Sequence, residues 1–276
     1  MQGIGNDFVV LDRSELGSRD PHELVRRLCA RRTDVGADGM LVLQREYDTS
    51  HFRMTMYNAD GTEDMCGNGL RCASLWALNA GWIRAENSFT AATLVGQRIG
   101  RIRSVVQNGK RAEVSISMGM PHFDSRDLPA HGLDRSALFE TELNVRGRTF
   151  NIASVNTGST HTVIFGRPPE DPLFALISQG IEEHHLFPDR TSIMWAEYMG
   201  HHQFNIRIWE RGVGETLGCG TGACAVAVVA RRKGIVDLQP VRVVSPGGVL
   251  EIRWSSSRSD ILMTGPAVLV YDGTVN

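Results

Sequence analysis

The chain has 276 residues, is 42% hydrophobic and 22% charged, and carries a formal net charge of −2. That balance fits a soluble globular protein long enough for one large domain or two medium ones, and it offers no basic face for a nucleic acid. No apolar run approaches the roughly 20 residues of a membrane span.

In chain order, the opening "MQGIGNDFVVLD" lacks a charged leader and an apolar signal segment, so the expected location is the cytoplasm. "DPHELVRRLCARR" (20–32) predicts a helix with an Asp cap and Pro at its first position. Alternating apolar residues predict strands at "HFRMTMYN" (51–58) and "HQFNIRIWE" (202–210). Further strand-like runs are "GMLVLQ", "RAEVSISMG", "TFNIASV", "HTVIFG", "PVRVVS", "VLEIRW" and "AVLVYDG", and "EDPLFALISQGIEEH" predicts another helix. Two more helices, "GNGLRCASLWALNAG" and "GTGACAVAVVARRKG", are apolar almost all round and end at a glycine. Such helices are enclosed by other elements, and glycine is the usual left-handed stop.

Each half thus runs strand, acidic turn, Cys-Gly turn, buried helix, further strands. The expected fold is α+β, with two pseudo-symmetric domains that each wrap a mixed or antiparallel sheet around one central helix. The N-terminal domain is expected at 1–119, completed by a last strand at 264–276, and the C-terminal domain at 120–263. The junction falls near "SMGMPHF" and a second crossing near "LMTGPA", with the active site expected in the cleft between the domains.

The Cys-Gly turns carry the chemistry. A helix start presents unpaired N–H groups and partial positive charge, so it binds anions and favours a thiolate over the ordinary thiol, which titrates near about 8.5. Two such starts facing one carboxylate would set Cys66 and Cys219 on opposite faces of the adjacent carbon. Inversion there needs two acid–base groups and no cofactor. Five cysteines, an odd number, fit a reducing compartment better than a disulfide framework, and Cys29, Cys72 and Cys224 read as small core residues. Zinc is disfavoured because the paired cysteines point to different sides of their helices. Lys110 and Lys233 are the only lysines and neither reads as a buried Schiff-base residue, which argues against pyridoxal phosphate.

"GIGNDFVVLD", "NADGTEDMCGNGLRCA", "WERGVGETLGCGTGACA" and "TGPAVLVYDG" together resemble the diaminopimelate epimerase family along nearly the whole chain. The resemblance implies cofactor-independent conversion of LL-2,6-diaminopimelate to the meso form, in lysine and peptidoglycan precursor synthesis. It implies Cys66 and Cys219 as the two acid–base thiols, tuned by His161 and Glu210. It gives Gly67, Asn68, Gly220 and Thr221 as amide donors, and Asn6, Asn58, Glu210 and Arg211 as further substrate contacts. Taken alone, Asn6 and Asn58 also read as turn formers, Arg211 as a solvated charge and His161 as a core histidine. The resemblance also gives Ser159 and Ser192 as substrate contacts, standing where the family has amides toward the distal end, and Gly39 stands where one version of the family has glutamine. Tyr271 matches a dimer-contact tyrosine, which implies a homodimer, with no nucleic-acid or membrane partner. A related amino-acid racemase using the same thiols, or a catalytically silent binding protein of this fold, are the alternatives.

Overall fold

The computed structural model describes residues 1–46, 50–124, 127–128 and 139–275. The chain divides into two compact units, residues 1–117 with 264–276, and residues 118–263. The second crossing lies inside the last strand, between Met263 and Thr264.

The first unit contains β1 (Gln2–Gly3), β2 (Asn6–Asp12), α1 (Arg13–Leu16), α2 (Pro21–Leu28), β3 (Gly39–Arg45), β4 (His51–Asn58), β5 (Glu63–Asp64), α3 (Gly67–Asn79), β6 (Ser88–Thr93), β7 (Gly96–Val106) and β8 (Arg111–Ser117). The second contains β9 (Phe139–Val145), β10 (Arg148–Asn156), β11 (Thr160–Phe165), α4 (Leu173–Glu182), β12 (Ser192–Tyr198), β13 (Gln203–Glu210), β14 (Gly214–Thr216), α5 (Gly220–Arg232), β15 (Val241–Ser245) and β16 (Gly248–Arg253). β17 (Leu262–Val268) carries the chain back to the first unit.

In the first unit the strands pair in the order β1, β2, β3, β4, β6, β7, β8, β17 and back to β1, a closed ring around α3. Closure removes the unpaired edges of an open sheet. In the second unit β9, β10, β11, β12, β13, β15 and β16 pair in that order, and β14 adds to β13. The two units repeat one plan. β2–β3 and β11–β12 are parallel, as are β4–β6 and β13–β15, and each parallel pair needs a helical crossover. α1 and α2, then α3, supply these in the first unit; α4 and α5 do so in the second.

The burial of β3 and β12 follows from that plan. Residues 39–43 and 192–196 are buried without alternation, because each strand is covered on both faces. α2 lies on one side of β3 through Leu24, Val25 and Leu28, which join Met40, Val42 and Tyr57 in one cluster. α4 does the same for β12, with Phe174, Ile177 and Ile181 against Ile193 and Trp195. α3 and α5 occupy the other side, and Leu70, Leu75, Val226, Val228 and Val229 have no exposed surface. Each such aliphatic side chain contributes about 1.5–3 kcal/mol. Both helices stop at glycines with left-handed backbone, Gly81 at φ 72° and Gly234 at φ 70°.

Two sequence expectations need correction. The last strand covers Leu262–Val268 rather than "AVLVYDG", because its pairing with β8 and β1 ends there and Leu269 donates instead to the Lys110 carbonyl. The helix expected over 20–32 ends at Leu28, capped by Asp20 as read; the chain then turns, with Arg32 at φ 75°. No helix among the described residues is long and apolar enough to cross a membrane.

Gly100 on β7 has no room for a side chain: a Cβ there would strike the Phe89 ring and lie 2.8 Å from Ile116 Cδ1. Gly100→Ala is expected to lose about 1–3 kcal/mol by overpacking. An unchanged urea midpoint would contradict the packing described inside the strand ring.

Candidate active site

Each Cys-Gly turn builds the same local object. Cys66 is the N-cap of α3 at φ −131°, ψ 115°, and Cys219 is the N-cap of α5 at φ −128°, ψ 115°. Their sulfurs accept the N–H of the residue three ahead, Gly69 at 3.3 Å and Gly222 at 3.4 Å. Ser, Thr, Asp or Asn normally fills that position. The glycines let neighbouring side chains pack close. A Cβ on Gly69 would sit 3.0 Å from Leu41 Cδ2, and one on Gly222 would run into the Met194 thioether. The N–H groups of Gly67, Asn68, Gly220 and Thr221 belong to first turns, where the helix itself supplies no carbonyl.

Opposing effects act on Cys219. Burial raises its pKa most, and the Glu210 carboxylate beside it raises it further; hydrogen bonds from Thr221 and Gly222 pull the other way. The net direction is well upward, so Cys219 rests as a thiol. Its neighbours form a relay. His161 Nδ1 lies 2.7 Å from the Ser159 carbonyl, which only accepts, so Nδ1 carries a proton. Burial holds the imidazole neutral, with its pKa lowered to about 4, so Nε2 is a bare acceptor. Thr221 Oγ1 lies 3.1 Å from Nε2 and 3.4 Å from Cys219 Sγ, and Sγ itself is 3.8 Å from Nε2. The hydroxyl can therefore donate to the ring while accepting from the thiol, or turn to donate to a thiolate. Glu210 is steadied by Thr216, whose hydroxyl donates to Oε1 at 2.6 Å.

The surroundings of Cys66 differ. Strand register sets Phe8 beside Gly39, which faces Asn58, as it sets His161 beside Ser192, one step before the Ile193–Trp209 pair that leads to Glu210. Phe8 thus occupies the place of His161, Asn58 that of Glu210, and Asn68 that of Thr221. In place of a titratable pair stands a one-way hydrogen-bond chain. Arg71, fully buried, donates to Asn68 Oδ1 at 3.0 Å and to the Pro266 carbonyl at 3.1 Å. Asn68 Nδ2 donates to Asn6 Oδ1 at 2.8 Å, and Asn6 Nδ2 donates to Asp38 at 2.8 Å. A donor-only guanidinium at one end and an acceptor-only carboxylate at the other fix the orientation of both amides. Arg31 bonds Asp38 and Asp7 at 2.7 and 2.6 Å and anchors the acidic end.

Other candidate residues enter in varied ways. Asn58 Nδ2 donates to Thr62 Oγ1 at 3.0 Å, so this side chain shapes its own turn. Arg211 is exposed, and its guanidinium reaches the Asp189 carbonyl at 2.9 Å. Ser159 takes part through its carbonyl, and Ser192 through a hydroxyl that accepts the Arg211 N–H at 3.1 Å. Gly39 leaves no room for the glutamine of some relatives, since a Cβ would come 2.7 Å from the Tyr57 carbonyl oxygen. Tyr271 is 62% exposed, beyond the end of β17. Cys72 is buried and its thiol pushed up to about 12; burial likewise takes Cys29 to about 11, and Cys224 has no exposed surface. Among the described residues no group of three or more His, Cys, Asp or Glu side chains is arranged to hold a metal ion. Sequence reasoning missed Arg71, Asp38 and Thr216. Arg71 left a signal, because it stands one helical turn from Asn68; the other two meet their partners only through the fold.

The family model for diaminopimelate epimerase matches residues 1–123 and 153–270. A diaminopimelate epimerase of Desulforudis audaxviator is 38% identical, over 99% of this chain and 96% of its own length. One of Halothermothrix orenii is 36% identical, over 100% of this chain and 96% of its own. Among solved structures, a Bacillus anthracis phenazine biosynthesis protein of the PhzF family superposes with TM-score 0.64 at 17% identity, covering 98% of this chain and 93% of its own. A probable proline racemase from Agrobacterium radiobacter superposes with TM-score 0.62 at 13% identity, covering 93% of this chain and 83% of its own. At those identities the structural neighbours show the fold, and the long sequence matches carry the assignment: the chain belongs to the diaminopimelate epimerase family of isomerases.

Proposed function

We propose that this protein converts LL-2,6-diaminopimelate to the meso form, supplying lysine and peptidoglycan precursors, with Cys66 and Cys219 as the two acid–base groups on opposite faces of one α-carbon. The observation that carries the reading is the duplicated cysteine N-cap, the same backbone conformation twice with the same glycine three residues on. The reacting carboxylate lies against the N–H groups of Gly67, Asn68, Gly220 and Thr221. There, fixed dipoles stabilise the charge that develops as the α-proton leaves.

In the LL-to-meso direction Cys66 removes the proton and Cys219, resting as a thiol, delivers one to the other face. The Cys219 thiolate left behind accepts from the Thr221 hydroxyl, which lies between Sγ and the His161 ring. Before the next turnover Cys219 takes a proton from solvent and Cys66 releases the one it removed. Glu210 beside Cys219 keeps the sulfur a thiol until the carbanion forms. At the far end Arg211 offers a bidentate partner to the second carboxylate. A second reading keeps both thiols but takes another amino acid. Ser192 and Gly39 favour it, because neither supplies the side-chain amide that relatives carry there. The reading also includes a homodimer with Tyr271 in its contact, supported by the exposure of Val270 and Tyr271 at 57% and 62%.

Cys66→Ala or Cys219→Ala is expected to lower turnover of diaminopimelate by about 10²-fold or more, the usual loss when a proton-transfer group is removed. Cys72→Ala keeps most of the activity. Proton NMR of the amino acid pool follows the reaction, and near-normal turnover in either N-cap variant overturns the mechanism.

The neutral His161 sets a pH dependence of stability. The unfolded histidine titrates at its ordinary 6.5 and the folded one at about 4. Between those values the unfolded chain binds the extra proton. The contribution is therefore complete above pH 6.5 and is lost as pH falls toward 4, about 3 kcal/mol in all. Urea midpoints of the wild type should fall across that window more steeply than those of His161→Asn. Parallel profiles would show that the imidazole is not held neutral.

A further inference from the structure

Glu182, the last residue of α4, is 4% exposed, and its carboxylate collects three donors. Trp209 Nε1 donates to Oε2 at 2.7 Å, the Gly212 N–H to Oε1 at 2.8 Å, and Arg190 to Oε1 at 3.4 Å. A buried carboxylate without such partners is strongly destabilising. The Arg190 side chain is half-exposed and its contact is long, so that ion pair contributes little. The two short neutral N–H donors do most of the compensation.

Two of the three anchor one turn. Trp209 precedes Glu210 on β13, and Gly212 follows Arg211 in the link to β14. From the opposite side, Ser192 Oγ accepts the Arg211 N–H at 3.1 Å. The peptides before and after Arg211 Cα are thus fixed independently, one by β12 and one by α4. An otherwise exposed turn acquires a set backbone, which defines where the Arg211 guanidinium can reach.

The first unit repeats the device with reversed polarity. Its β4–β5 turn follows Asn58 and is held by the outer helix α2, with His22 Nδ1 on the Gly61 carbonyl at 2.8 Å and Arg26 Nε on the Asp60 carbonyl at 2.8 Å. In each half, then, the helix ahead of the second parallel strand grips the turn after the third. In the second half the grip is a carboxylate on N–H groups.

We propose that Glu182 is a positioning residue for Arg211: it fixes the Glu210–Gly212 turn so that the guanidinium is pre-aimed at a carboxylate on the distal end of the substrate. This rests on the diaminopimelate reading and deepens it, since it makes Glu182, which touches no substrate, a determinant of selection for a dicarboxylic amino acid.

The test is Glu182→Gln in the full chain. The amide keeps the shape but cannot accept from both Trp209 and Gly212 without turning its NH₂ on one of them. Amide hydrogen exchange by mass spectrometry, read on peptides covering 210–214, should quicken in this variant. KM for diaminopimelate should rise roughly tenfold with kcat changed less than about threefold, the pattern of lost uniform binding. Glu183→Gln, its exposed neighbour, should leave both readings unchanged. Normal exchange across 210–214 overturns the clamp, and faster exchange with unchanged KM overturns the positioning role. If the Gln variant does not fold, Ser192→Ala removes the other anchor and is expected to quicken exchange at Arg211 and raise KM; failure of either overturns the proposal. If the wild type does not turn over diaminopimelate, the functional reading has failed, and the exchange measurement still decides the clamp on its own.

Discussion

A thiol used as a helix cap is the constraint from which the rest of each unit follows. An N-cap side chain must meet the N–H three residues on, and sulfur is larger than the oxygen that usually fills this role. The residue at that N–H must therefore be small, and Gly69 and Gly222 are packed so tightly that any side chain would displace Leu41 or Met194. Those contacts seat the helix start against β3 and β12, the strands covered on both faces. The apolar character of α3 and α5 is the cost of placing a helix N-terminus inside a ring or sheet of strands. Once there, the dipole and the first-turn N–H groups act in a low-dielectric setting where they are worth more than in water.

The two halves share this frame and differ in what surrounds the sulfur. Around Cys219 stand His161, Thr221 and Glu210, all able to take part in moving a proton. At the corresponding register positions of the first half stand Phe8, Asn68 and Asn58, an apolar ring and two amides, with the amide of Asn68 oriented by the buried Arg71. Each half offers the same helix-start geometry to an anion. The unequal chemistry suits a reaction in which one thiol gives up a proton while the other takes one, so the asymmetry is as much part of the proposed mechanism as the symmetry.

Much of this was legible in the sequence because it is written locally. The strands at 51–58 and 203–210, the Asp20 cap with Pro21, and the two buried helices each follow from spacing within one segment. The α+β plan was legible because the Cys-Gly motif occurs twice in the same context. What escaped depends on distant pairing. β1 and β2 meet through a two-residue turn in which Ile4 and Gly5 both have positive φ, and a β-branched residue gives no warning of that. The last strand was placed too far along because "AVLVYDG" has strand composition, whereas pairing with β8 and β1 ends it at Val268. Ser192 was read as a substrate contact from its position in the family. Only the fold shows its hydroxyl committed to the Arg211 N–H, and Glu182 had no sequence signal at all.

The central claim, two thiols acting from opposite faces of one carbon, is tested most directly by isotope distribution in D₂O under initial-rate conditions. LL-diaminopimelate is the substrate, and both product and recovered substrate are analysed by mass spectrometry. With two thiols, the proton removed stays on one sulfur while the other delivers a solvent-derived deuteron. Product should then carry one deuteron at the inverted carbon, and recovered LL substrate should remain protiated. Product that retains the substrate's own proton, or deuterium entering recovered substrate as fast as product forms, would mean that a single group serves both faces and would contradict the account.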